Sequence, residues 1–284
     1  MIELLLQGVL LGGLYTLFAL GLSLMFGVMR LTNTAHGDFI ILGAFGALAL
    51  NGWGLNPWLA DAVVLPIAAL LGYAIQRYVL NQTLGKDPVP SLVVTFGLSI
   101  VIQNALLETF SADPRSIESN GLNIQSLALS ESLSVGVLPM LILLIALLAT
   151  VGLQWLFANT RLGRAFRAVS DDPEIAELMG LRSKNVYAIA TALAFVLIAM
   201  AGVLQGLRTT VAPSDGPMLL LFAFEAVIMG GMGSFWGTLA GSMLLCVTQQ
   251  VGFRLDPGWG VWAGHLMFLF VLLVNPQGLF PKTR

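Results

Sequence analysis

Apolar runs of membrane-spanning length alternate with short polar joints along almost the whole chain. Residues 4–28, 58–78, 91–110, 135–157, 186–207, 235–252 and 259–274 are predominantly apolar, and most approach the ~20 residues that a hydrocarbon core of about 30 Å requires. Two further runs, 39–50 and 218–229, stop at 12 residues, about 18 Å as a helix. The pattern predicts nine helical segments, the two short ones either drawing in the polar residues ahead of them or broken there. Residues 111–134 carry no strong signal for regular structure and read as a polar connection.

One joint differs from the rest. Residues 159–184, NTRLGRAFRAVSDDPEIAELMGLRSK, hold Arg161, Arg164, Arg167, Arg182 and Lys184 against Asp171, Asp172, Glu174 and Glu177. A short helix with legible ends lies inside it: Asp171 or Asp172 can cap the free amides, Pro173 suits the first helical position, and Gly180 suits the left-handed stop. Ile175, Ala176, Leu178 and Met179 give this helix an apolar surface, while Glu174 and Glu177 face water. So short a helix is marginal alone, which points either to an ordinary charged loop or to a docking element for a soluble partner.

Composition agrees with membrane insertion. The chain is 57% hydrophobic and 10% charged, with mean hydropathy +0.88, whereas soluble domains carry about 25% charged residues. Its 284 residues suit one multispanning domain over 1–284. The net charge of -2 contains no block suited to nucleic acid. Cys246 is the single cysteine, which excludes an intrachain disulfide and a thiolate metal cluster. The N-terminus lacks a basic start and a clear cleavage site and reads as a retained first span. With 159–184 inside and strict alternation, ten basic residues fall inside (Arg30, Arg77, Lys86, Arg161, Arg164, Arg167, Arg182, Lys184, Lys282, Arg284) and three outside (Arg115, Arg208, Arg254). This predicts an outside N-terminus and a cytoplasmic C-terminus.

The two short runs follow similar polar segments. Thr32, Ala35 and Asp38 precede one, and Thr210, Ala212 and Asp215 the other, as in duplicated transporter halves whose broken helices flank a substrate path. Polar side chains at membrane depth are costly unless paired or wetted. Asn33, His36, Asp38, Thr95, Gln103, Asn104, Asp215 and Glu225 are therefore the candidates for a path, with helix-to-helix hydrogen bonding as the competing role. In GGMGSFWG, Gly230, Gly231, Gly233 and Gly237 suit bending or close packing. No metal-ligand pattern and no Walker sequence occurs, so an enzyme or a self-contained ATPase finds no support.

Four stretches together carry a family resemblance: NTAHGDFIILGAF at 33–45, TRLGRAFRAVSDDPEIAELMGL at 160–181, GGMGSFWGTLAG at 230–241 and VLLVNPQGLF at 271–280. The chain resembles the shorter permease subunit of high-affinity branched-chain amino acid ABC importers over essentially its whole length. The resemblance implies an all-α polytopic fold of the type II-like importer class with about 8–9 transmembrane segments, in a bacterial or archaeal inner membrane. It also implies a homologous second permease, two cytoplasmic ATPases that use ATP and Mg, and a periplasmic or lipid-tethered solute-binding protein. This chain itself would bind no cofactor or metal. By that likeness 159–184 is the ATPase-coupling segment, with Arg161, Gly163, Arg164, Ala165, Arg167 and Ala168 in its first half. Asp172, Pro173, Ala176, Leu178 and Gly180 form its second, and Glu177 stands where relatives often have a small residue. Members with this fold also import urea or short amides, which leaves that substrate class, and a carrier independent of ATP, as alternatives to amino acids.

Overall fold

A computed structural model describes residues 2–85, 87, 89–118, 121–130 and 133–280 of the chain. Lys86, Pro88, Lys282 and Arg284, which entered the charge and loop readings above, lie outside the described residues. Each of the nine apolar runs forms a helix: α1 (Ile2–Met29), α2 (His36–Gly52), α3 (Pro57–Tyr78), α4 (Val89–Phe110), α5 (Val137–Asn159), α8 (Ser183–Arg208), α9 (Gly216–Gly230), α10 (Phe235–Leu255) and α11 (Trp259–Val274). Five of them, α1, α3, α4, α5 and α8, are long and apolar enough to cross a membrane alone, and α9 and α10 form a pair bent by 117°.

Two departures from the sequence reading stand out. Residues 111–134 are not featureless, because an antiparallel hairpin pairs β1 (Ser126–Ser130) with β2 (Leu133–Gly136). Arg115 also bridges to Val211 through two backbone hydrogen bonds of 2.9 and 2.7 Å. The alternation in SLALS and LSVG is too short to register as strands without a partner. The charged joint holds two helices, α6 (Arg161–Asp171) and α7 (Pro173–Leu178), instead of one. Gly163, Phe166 and Val169 recur every three residues and are buried, while Arg161, Arg164 and Arg167 share the exposed face. Dense charge masked this helical spacing.

The centre of the bundle is α1, which packs against α5, α8, α9 and α10. Small residues set the spacing: a Cβ at Gly12 would stand 2.8 Å from Met243 Cα, and one at Gly13 2.8 Å from Leu143 Cα. Such contacts replace the hydrophobic driving force that lipid does not supply.

Contacts define two ends. At one, Ser170 Oγ donates to the Gly27 carbonyl at the close of α1 (2.8 Å) and Arg77 donates to Asn185 Oδ1. Phe157 there packs edge-on to Phe235, and the Leu279 and Phe280 amides donate to the Met229 and Gly230 carbonyls at 2.8 and 2.9 Å. This end also carries α6 and α7. The hairpin, the Arg115–Val211 bridge and the α10–α11 turn lie at the other.

Candidate functional site

Both short helices begin inside the bundle. Arg30, with φ of +52°, turns the chain off α1, and residues 30–35 are not helical. His36 then opens α2, and its Nε2 donates to the Phe18 carbonyl at 2.7 Å. Phe18 lies about 24 Å from the start of α1 and about 17 Å from its end, so α2 starts deep in the bundle. With 17 residues it runs about 25 Å, and the non-helical polar segment before it, closed by a turn in which the His36 amide donates to the Asn33 carbonyl, links it to α1.

The start of α9 meets the start of α2. A Cβ at Gly37 would stand 1.8 Å from the Gly216 carbonyl oxygen, and one at Gly216 2.1 Å from Asp38 Oδ1. Neither position tolerates even a methyl group. Asp215 ends the turn that precedes α9, where its Oδ2 accepts from the Ala212 amide at 2.8 Å. The two polar joints noted in the sequence thus converge on one backbone contact.

Around this contact the structure gathers most of the candidates from the first break. Asp38 is buried and its Oδ1 accepts from Gln103 Nε2 at 2.8 Å, which also donates to Ser99 Oγ at 3.2 Å. The Thr34 and Thr95 hydroxyls are 2.8 Å apart, and the Thr34 amide donates to Thr95 Oγ1. Asn33 Oδ1 accepts from the Ala35 amide at 3.0 Å, while its buried Nδ2 and the buried Nδ1 of His36 have no partner among the described residues. These groups form a cluster on α2, the break and α4 that has unspent hydrogen-bonding capacity, which buried polar groups seldom keep.

Two candidates lie elsewhere. Asn104 is exposed on α4 and its Nδ2 donates to the Ile100 carbonyl at 2.8 Å. Glu225 sits on α9 and pairs with His265 of α11, Oε1 to Nδ1 at 2.5 Å, with Phe222 stacked over the imidazole. Sequence reasoning gave His265 no role. Its signal was being the only other ionisable group in the last apolar run.

The charged joint is built as a braced projection. Thr160 caps α6 by accepting from the Gly163 amide at 3.0 Å, and a Cβ at Gly163 would fall 2.2 Å from the Leu156 carbonyl oxygen. Arg167 Nη1 donates to the Phe157 carbonyl at 2.5 Å, and Arg164 Nη1 to that of Asn159 at 3.4 Å. Ala168 lies exposed on the same helix. Asp172 caps α7, its Oδ1 accepting from the Glu174 and Ile175 amides at 2.9 and 3.0 Å beside Pro173. Gly180, with φ of +89°, ends that turn.

Of the α7 apolar residues only Ala176 is buried. Ile175, Leu178 and Met179 are 59, 87 and 81% exposed, and Glu174 and Glu177 face solvent beside them. Behind α7, Gln76 and Asn81 tie α3 to α8 through Thr191 Oγ1 and the Lys184 carbonyl (2.8 to 3.1 Å).

At the α9–α10 bend, Gly231 and Gly233 have φ of +107° and +81°. Gly230 and Gly237 touch backbone to backbone, a Cβ on either falling 2.0 to 2.2 Å from the other's carbonyl oxygen.

A multispanning helical bundle with two half-length helices abutting in its interior, polar groups at their tips, defines a membrane permease. The chain belongs to the family described as branched-chain amino acid transport system / permease component, whose sequence model matches residues 4–274. It is 30% identical over 296 residues to the high-affinity branched-chain amino acid transport system permease protein BraD of Pseudomonas aeruginosa, covering 99% of this chain and 95% of that protein. It is 27% identical to LivH, the corresponding permease protein of Escherichia coli, covering 98 and 94%. The LivM permease protein of that organism is 26% identical over 95% of this chain and 68% of its own length. Among solved structures, PsaBC from Streptococcus pneumoniae in complex with Fab superposes with a TM-score of 0.50 at 15% identity, covering 97% of this chain and 93% of that one, a likeness of fold.

Proposed function

We propose that this chain is a membrane-spanning subunit of an ATP-driven importer, passing leucine, isoleucine, valine or a related amino acid that a solute-binding protein delivers. Two partner ATPases use ATP and Mg, and this chain adds no nucleotide site of its own. A homologous second permease completes the path, a reading supported by the match to both LivH-type and LivM-type proteins. On this chain the path runs past the cluster of Asn33, Thr34, Asp38, Thr95 and Gln103, where α2 and α9 can part. The exposed face of α4 with Asn104 turns toward the second permease.

The observation that carries the proposal is the α6–α7 projection. It is pinned to α1, α5 and α8 by hydrogen bonds, yet it presents an uncovered apolar tip at Ile175, Leu178 and Met179. A lever anchored at its base and bare at its end suits a partner that pushes on it. This end faces the cytoplasm, with the N-terminus outside. That orientation is supported by Arg30, Arg77, Arg161, Arg164, Arg167, Arg182 and Lys184 gathering at the coupling end, against Arg115, Arg208 and Arg254 at the other.

The test is substrate-dependent ATP hydrolysis and uptake by the reconstituted complex with its cognate binding protein, compared across leucine, valine and urea. Leucine and valine are expected to stimulate both, and urea neither. Uptake that persists under a proton gradient after ATP depletion refutes the proposal.

A further inference from the structure

At the coupling end a cavity of about 700 Å³ opens between the α1–α2 break, the α3–α4 joint, the tail of α6, α7 and the start of α8. Its volume falls within the range of about 300–1,000 Å³ typical of small-molecule sites. Leu31, Leu84 and Val169 supply apolar wall, and Ser91, Ser170 and Ser183 supply hydroxyls. Both signs of charge line it: Arg30 and Lys184 against Asp87, Asp171, Glu174 and Glu177. Among the described residues none of these six enters an ion pair; the one such pair is Glu225 with His265.

Arg30 carries a second signal. Its backbone is left-handed, at φ of +52°, a conformation that residues with a Cβ disfavour. A glycine would turn the chain there without strain, so the position favours its side chain over its backbone. Arg30 lines the cavity.

Resting on the import reading above, we propose that this cavity binds a free amino acid zwitterion from the cytoplasmic side, the carboxylate on Arg30 and Lys184 and the ammonium on Asp171, Glu174 and Glu177. Carboxylates outnumber cations around the cavity, which opposes nucleotide or lipid phosphates and leaves a group of both charges as the better fit. The occupant touches α7 on one side and the α1–α2 break on the other. Filling the cavity therefore holds the coupling segment against the membrane helices and disfavours any state in which the two separate. Accumulated amino acid thereby slows its own entry.

The test uses the complete complex in proteoliposomes loaded with ATP, with or without leucine inside, and equilibrium leucine binding to the permease–ATPase complex purified without its binding protein. Internal leucine at ten times its dissociation constant is expected to lower the initial import rate about tenfold. The Arg30→Gln variant, whose altered side chain has no ion pair to lose among the described residues, should import normally into vesicles without leucine and escape that inhibition. Internal leucinamide, lacking the carboxylate, and 4-methylpentanoate, lacking the ammonium, should leave the rate unchanged. Equal inhibition of native and variant complexes, inhibition by leucinamide as strong as by leucine, or no inhibition in a complex that imports leucine overturns the proposal. Leucine binding that Arg30→Gln abolishes, in a complex that imports no leucine, overturns the import reading and leaves the site standing.

Discussion

Leu178 offers the sharpest test of the coupling segment. Its side chain is 87% exposed, so replacing it disturbs nothing within the chain and any loss reports on what covers it. Moving a leucine from water into a packed interface is worth about 2 kcal/mol, and each 1.4 kcal/mol is about tenfold in affinity. Leu178→Ala should therefore weaken ATPase binding by up to about 30-fold. Leu178→Asp should do worse, because a carboxylate would have to be desolvated as well. The measurement is titration of the purified ATPase subunits onto the nanodisc-embedded permease pair, with import per ATP hydrolysed followed in parallel. Ile124, 84% exposed near the hairpin at the opposite end, supplies the control: Ile124→Asp should leave ATPase affinity untouched. An affinity within about twofold of native for Leu178→Asp, or an equal loss from Ile124→Asp, would refute the docking argument.

Three further outcomes follow from the geometry. Gly163→Ala forces a methyl group into the Leu156 carbonyl at 2.2 Å and should open the α5–α6 corner at a cost of about 1–3 kcal/mol, read as a lower melting temperature and futile ATP hydrolysis. Gln103→Leu removes the side-chain donor that reaches Asp38 Oδ1, and should abolish uptake while complex assembly, followed by size-exclusion chromatography, stays intact; normal uptake would take Asp38 and Gln103 off the path. His265→Leu leaves the buried Glu225 carboxyl group without its hydrogen-bond partner, a loss of about 1–3 kcal/mol for a buried polar group left unsatisfied. Thermal unfolding should show it, and Glu225→Gln/His265→Leu together should recover part of it.

How much of this was legible in the sequence varied with the kind of signal. The nine apolar runs each became a helix, because an apolar segment in lipid must satisfy its backbone hydrogen bonds within itself. The ends of α7 were readable from Asp172, Pro173 and Gly180, since caps depend on local chemistry. By contrast α6 was hidden, its three buried positions diluted by arginines that reach solvent over them. The hairpin at 126–136 was hidden because pairing is a property of two segments. The polar residues around the α2 break could be picked out one by one, but not their grouping, which depends on how α4 lies against α2. Glu225 was singled out as a candidate ligand group, while its pairing with the imidazole 40 residues on, a property of two helices, left no local trace.

The abutment of Gly37 and Gly216 limits how the two half-helices can move. With no room for a methyl group between them, neither tip can slide past the other, and each blocks the other's advance along its axis. What the contact leaves open is separation or rocking, and Gly231 and Gly233 at the far end of α9 are where the backbone is freest to bend. Two glycines thus set how closely the half-helices can meet, and a side chain at either position would act as a wedge between them.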